Sequence, residues 1–249
     1  MPQNDLPSSQ DSLSQADRNT NEFSGYDGAL GQAGVRELGA SGTTMPSGEI
    51  LARPGDMTVV SPPPSGFREI YIGCSWNVQK TPLPGIFGWL GLKRSRKIDV
   101  DLGCLYNLAD GTRGGLQALG DDDGSFDAPP YVWLSHDERT GARPGDDEFI
   151  RLNGAHWPAF ARVLVYAYIY AGADDFSSVR PVVTLRVAGQ APVHIMPKMK
   201  RPDLGVCAVA LLEQVRGGIK ITNLTEYFPG QPEMDRAYGF GVPWQDGAK

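Results

Sequence analysis

From Ile50 onward the chain alternates short apolar runs with turn residues. REIYIGCSW, KIDVDLGCLYNL, YVWLS, RVLVYAYIYAG, PVVTLRVAG, APVHIMPKM, VCAVALLEQV and GIKITNLTEYF follow one another. They are rich in β-branched and aromatic residues, and none keeps a 3.6-residue period long enough for a helix. About eight such strands predict an all-β fold, a β-sandwich of two antiparallel sheets. EILARPGDMTVV reads as a further short strand pair punctuated by Pro54-Gly55. VTLRVAGQAPVHI reads as a hairpin, and so does ALLEQVRGGIKIT with Arg216-Gly217-Gly218 at its turn. VLVYAYIYA is apolar at every position, as a central strand covered on both faces would be.

The first 46 residues differ in texture. They are rich in Ser, Asn, Gln, Asp and Gly without apolar periodicity, which predicts a disordered N-terminal tail (1–46) ahead of a domain at 47–245. Composition agrees with a turn-rich β domain: 31 glycines and 20 prolines in 249 residues, 41% hydrophobic. A net charge of −6 and a pI near 5.1 argue against a nucleic-acid partner. The chain has no apolar run of about 18 residues. It opens without the basic and apolar regions of a secretory signal, so the expected location is cytoplasmic. Cys74, Cys104 and Cys207 lie inside apolar runs without a C-x-x-C pair, which predicts buried reduced thiols.

Carboxylates carry the candidate chemistry. In KIDVDLGCLY, Ile98, Val100, Leu102 and Cys104 fall on one face and Asp99 and Asp101 on the other. Residues two apart on a strand lie about 6.5–7 Å apart on one side. Aspartate is disfavoured in strands, so the pair marks either a solvated strand end or two ligands gripping a divalent cation. The stretch HDERTGARPGDDE, residues 136–148, gathers Asp137, Glu138, Asp146, Asp147 and Glu148 around a glycine-bearing turn. Either water screens those charges or a hard cation sits among them, and calcium takes 6–8 oxygens at about 2.3–2.6 Å. The order of an EF-hand is missing. DDDGSFD, residues 121–127, reads as a solvated turn. No P-loop, dinucleotide or G-x-S-x-G fingerprint is present.

Taken in order, IYIGCSWN, IDVDLGCLYNLADG, QALG…GSFDAPPYVWL, DERTGARPGDDE, RLNGAHW, RVLVYAYIYAG and EMDRAYGFGVPW resemble the TerD-type stress and tellurite-resistance domains, in their TerA branch. The resemblance runs from Ile50 to Trp244. It implies a β-sandwich that binds Ca2+ at acidic loops and works with other proteins of a stress or tellurite-resistance system. The implied calcium ligands are Asp99 and Asp101, then Asp137, Asp146, Asp147 and Glu148, with Asn77 where the family commonly has an aspartate. That amide, and Ser135-His136 in place of a common Gly-Asp, imply weaker affinity.

On this reading the chain is an interaction module and not an enzyme. Its rivals are a metal-dependent hydrolase using the acidic cluster and a calcium-dependent sandwich of lectin type. KTPLPGIFGWLGLKRSRK, residues 80–97, places Phe87, Trp89 and Leu92 before a basic cluster. It is either a loop folded back on the sandwich or a contact for a partner or an anionic membrane surface. His136, His156 and His194 show no ligand spacing and read as structural.

Overall fold

The alternating segments form two facing sheets in the computed structural model. It describes residues 47–76, 80–82, 89, 93–95, 98–118, 120, 122–135 and 146–244. The tail 1–46, Asn77 and the 136–145 stretch with Asp137 and Glu138 lie outside those residues.

A seven-stranded sheet runs β1 (Glu49–Ile50), β13 (Val193–Ile195), β12 (Val182–Val187), β3 (Glu69–Ser75), β10 (Glu148–Asn153), β9 (Val132–Leu134) and β8 (Gly124–Ser125). A six-stranded sheet runs β2 (Met57–Val60), β15 (Gly218–Phe228), β14 (Val206–Val215), β11 (Phe160–Ala171), β6 (Asp99–Leu108) and β7 (Arg113–Gln117). Pairing is antiparallel except between β1 and β13. The hydrophobic core lies between the sheets. Ile70, Ile72, Ile150 and Leu152 from one face Val100, Leu102, Val163 and Val165 from the other, all fully buried.

The two expected hairpins form as β12–β13 and β14–β15. In the second, Arg216 and Gly217 both take positive φ (47° and 79°), which suits the twist of the strands they join. The EILARPGDMTVV segments do not pair with each other. β1 adds to one sheet and β2 to the other, so this segment straps across the sandwich edge. Asn223 fastens the strap by donating to Leu51 O at 2.8 Å.

β11 is covered on both faces. Val163, Val165 and Ala167 point inward, while Leu164, Tyr166 and Tyr168 pack outward under a C-terminal lid. The lid is α2 (Gln231–Tyr238) with the segment that follows it. Pro232 opens the helix and Gly239 closes it at φ 64°. Arg162 on β11 donates to Tyr238 O (2.9 Å) and Gly239 O (2.7 Å), with its guanidinium 4.1 Å over Phe240.

Within residues 80–97, β4 (Lys80–Pro82) pairs with β5 (Lys93–Ser95), and Trp89 between them is 85% exposed. Cys74, Cys104 and Cys207 are buried free thiols. No described helix is long and apolar enough to cross a membrane.

Candidate functional site

Four chain segments meet at one end of the sandwich: the end of β3, the start of β6, the end of β11 and the entry to β10. β6 alternates as its sequence requires, but its acidic face is not solvated. Asp99 is 8% exposed and Asp101 1%. Tyr168, opposite Asp101 in the β6–β11 register, donates its hydroxyl to the Asp101 carboxylate. Burial first, then the Asp101 charge, pushes the Tyr168 hydroxyl well above its usual range.

The entry to β10 is gripped by backbone bonds. Asp147 donates its N–H to Cys74 O (2.9 Å) and accepts from Trp76 N at Oδ2 (3.3 Å). The Trp76 indole then donates to Ile98 O at 3.2 Å, which ties β3 to the start of β6. Glu148 points between the sheets, fully buried, and its Oε2 accepts from Leu102 N at 2.6 Å. That bond crosses from the seven-stranded to the six-stranded sheet. Cys74 sits in the middle. Burial, then Glu148, Asp146, Asp147 and Asp101, push its thiol up, so it stays protonated and inert as a nucleophile.

Asp146 lies elsewhere. Its carboxylate is on the outer face of the seven-stranded sheet, paired with Arg186 on β12 at 2.5 Å. The structure therefore brings Asp99, Asp101, Asp147 and Glu148 to the sandwich end and turns Asp146 away from it. Asn77 and Asp137 fall outside the described residues. Sequence reasoning did not find Arg186, Tyr168 or Trp76 as parts of this region. Trp76 carried a signal, an aromatic with a polar handle in the IYIGCSWN segment, while Tyr168 and Arg186 meet their acids only through strand register.

Asp99, Asp101, Asp147 and Glu148 are the described residues that could hold a cation. Concentrating carboxylates at 0–8% exposure is costly unless opposite charge or protons compensate. Apart from the Cys74 thiol every donor is oxygen, which suits calcium over zinc or copper. Among the described residues, however, no three His, Cys, Asp or Glu side chains stand together as a complete ligand set. Two further acids, Asp175 and Asp122, are held by their own local turns. Asp175 caps α1 (Phe176–Val179) by accepting from Ser178 N at 2.8 Å. Burial opposes its charge, but that bond and those from Ser177 and Ser178 hold its carboxyl below the usual range. At 121–127, Asp122 is exposed and accepts from Gly124 N (2.8 Å), the solvated turn expected there.

No family model matches the chain. A curated protein from Alcaligenes sp., "Tellurium resistance protein TerA", is 37% identical over 188 residues. The chain is a relative of TerA. The match takes in 74% of this chain and 54% of the Alcaligenes protein, so the chain spans about half the length of its curated relative. Two crystal structures show a weaker likeness. A Streptomyces coelicolor A3(2) homologue of the telluride resistance protein TerD is 16% identical, with a TM-score of 0.46 over 72% of this chain and 100% of its own. SAV2460, of unknown function, is 17% identical, with a TM-score of 0.46 over 68% and 95%. At that level the likeness says nothing about what this TerA relative binds.

Proposed function

We propose that this chain is a calcium-binding β-sandwich module of a bacterial tellurite-resistance or stress-response system, acting through contacts with other proteins of that system. The carrying observation is the burial of Asp99, Asp101, Asp147 and Glu148 at one end of the sandwich. The TerA name of a 37% identical relative supports the system.

The ion would supply positive charge and a demand for several oxygen ligands. Asp101 and Glu148 belong to different sheets, so holding one cation between them would draw the two sheet ends together. Trp76, bonded to both Asp147 and Ile98, keeps the β3 and β6 ends in register for it. Asn77 and Asp137 complete the proposed set from outside the described residues. Ordering of the surrounding loops on binding would present the partner surface, and Trp89 on the 80–97 excursion is the exposed group assigned to partner or membrane contact.

A site assembled only in the folded chain must stabilise it. At calcium a hundredfold above the dissociation constant, linkage contributes about 2.7 kcal/mol. For a domain of this size that raises the melting temperature by about 5–11 °C. The experiment is thermal melting with calcium, with magnesium and with chelator, on the wild type and on Asp101→Asn/Glu148→Gln. The wild type is expected to respond to calcium, weakly to magnesium, and the double variant to neither. Equal melting in calcium and chelator would remove the calcium reading. A phosphatase or glycosidase activity lost with the metal would favour a hydrolase instead, and saturable sugar binding a lectin-type sandwich.

A further inference from the structure

We propose that Arg186 is a positioning residue for the acidic site and that Asp146, the first acid of the Asp146-Asp147-Glu148 run, is its anchor and not a cation ligand. The part of this inference that concerns affinity rests on the calcium reading above.

The geometry begins with Gly73 on β3. Its neighbours Ile72 and Cys74 face the core, so position 73 faces outward. A Cβ there would stand 2.1 Å from Asp146 Oδ2 and 2.2 Å from its Cγ. The Asp146 carboxylate thus lies flat against the Gly73 backbone, on the outer face, and only glycine leaves room for it.

Arg186 sits opposite Tyr71 in the β3–β12 register. Its Nη1 donates to Asp146 Oδ2 at 2.5 Å, and its Nη2 reaches Oδ1 at 3.5 Å. The guanidinium also lies 5.5 Å from the centre of the Tyr71 ring. Tyr71 donates its hydroxyl to the same carboxylate, and burial, then the Asp146 charge, pushes that hydroxyl well above its usual range. The pair is withdrawn from water, with side-chain exposures of 9% for Arg186 and 2% for Asp146. A carboxylate so committed to a guanidinium, a phenol and a glycine backbone has little left to offer a cation.

Two residues on, Glu148 points the opposite way, into the sandwich, onto Leu102 N. The peptide is therefore held on both faces of the sheet, by Arg186 outside and by Leu102 inside. Asp147 between them is fixed at the sheet end, against Cys74 and Trp76. Arg186 acts at a distance: it fixes where the chain enters β10, and so where Asp147 and Glu148 present their oxygens.

The test uses the full chain with Arg186→Met, Arg186→Lys, Asp146→Asn and the double variant Asp146→Asn/Arg186→Met. Melting is followed in chelator, and calcium chloride alone is titrated by calorimetry well below the melting point. In chelator each charge-removing single variant is expected to melt at least about 6 °C lower, since it leaves a buried partner uncompensated. The double variant is expected to regain more than half of that loss. With calcium, the singles keep wild-type stoichiometry and bind about tenfold more weakly, and Arg186→Lys binds between them and the wild type.

Loss of calcium stoichiometry in Asp146→Asn with unchanged melting in chelator would make Asp146 a ligand and overturn the proposal. Additive losses in the double variant would overturn the clamp, and wild-type calcium affinity in Arg186→Met would overturn the positioning role. A wild type blind to calcium removes the calcium reading and the positioning role with it, while the melting cycle in chelator still decides the clamp.

Discussion

Asp235 offers the sharpest test of how the C-terminal lid is held. It is 4% exposed on α2, and its carboxylate takes three donors: Gly241 N at 2.8 Å, Val242 N at 2.9 Å and the Trp244 indole at 2.8 Å. These bonds fold residues 239–244 back beneath the helix and bring Val242 and Trp244 against the outer face of the six-stranded sheet. Hydrogen bonds to a charged group are worth about 1.5–3 kcal/mol each. Three give a gross value of about 4–9 kcal/mol, part of which is regained when the released N–H groups reach water. For Asp235→Ala the expected loss is about 3–5 kcal/mol. With about 2–4 °C per kcal/mol for a domain of this size, melting falls by roughly 6–20 °C. Asp235→Asn keeps acceptor oxygen without the charge and falls by less than half as much. The fluorescence of Trp244 provides the second reading: its emission shifts to the red in Asp235→Ala at temperatures where the sheets remain folded by circular dichroism. A drop of less than about 2 °C, with unshifted emission, would refute the reasoning and leave Met234 and Phe240, both fully buried, as what holds the lid.

Two further outcomes follow from single side chains. His194 accepts from or donates to Thr184 Oγ1 at 3.0 Å and donates to Ser47 O at 3.1 Å, which fixes the strap at its β1 end. Burial holds its imidazole below the usual range; the Ser47 carbonyl works the other way, Arg186 lowers it further and Asp146 raises it. A histidine depressed in the fold stabilises fully above about pH 6.5 and loses that contribution as pH falls through the folded value. Melting of the wild type, compared with His194→Gln between pH 7.5 and 5, is therefore expected to show an advantage that shrinks on acidification; a constant difference would contradict the assignment. Trp89 is 85% exposed, so Trp89→Ser is expected to leave melting within about a degree while reducing co-sedimentation with anionic vesicles. Undiminished co-sedimentation would remove the 80–97 segment as the membrane contact.

Most of the architecture is legible in local sequence because strand period, turn residues and two-sided burial are local properties. VLVYAYIYA identifies β11 as central, and Arg216-Gly217 fixes the β14–β15 register through a turn that needs two positive φ angles. The division of EILARPGDMTVV between two sheets is not legible, because partner choice depends on distant strands. The same limit governs the site. Asp99 and Asp101 alternate as solvent-facing residues would, and nothing nearby in sequence shows that both are buried or that Tyr168 bonds Asp101. Arg186, in TLRVAG, reads as an ordinary outward charge on a strand. Its partner is 40 residues away, and only the antiparallel register of β12, β3 and β10 brings the two together.

The run Asp146-Asp147-Glu148 shows why counting acids overstates a cation site. Three adjacent carboxylates take three directions: outward to Arg186, along the sheet end to Trp76, and inward to Leu102. The pleat alone would put Asp146 and Glu148, two residues apart, on one face; they part because the chain bends at Asp147, ahead of the strand that begins at Glu148. A relative that kept the acidic run but placed alanine at the position of Gly73 would drive the first carboxylate off its seat, with a methyl carbon about 2.1 Å from its oxygen. One that replaced Arg186 with an apolar residue would bury that carboxylate without its counter-charge. Either change leaves the motif readable in sequence and the entry to β10 displaced. The glycine under the first acid and the arginine two strands from β10 are therefore better markers of a preserved site than the number of aspartates in the loop.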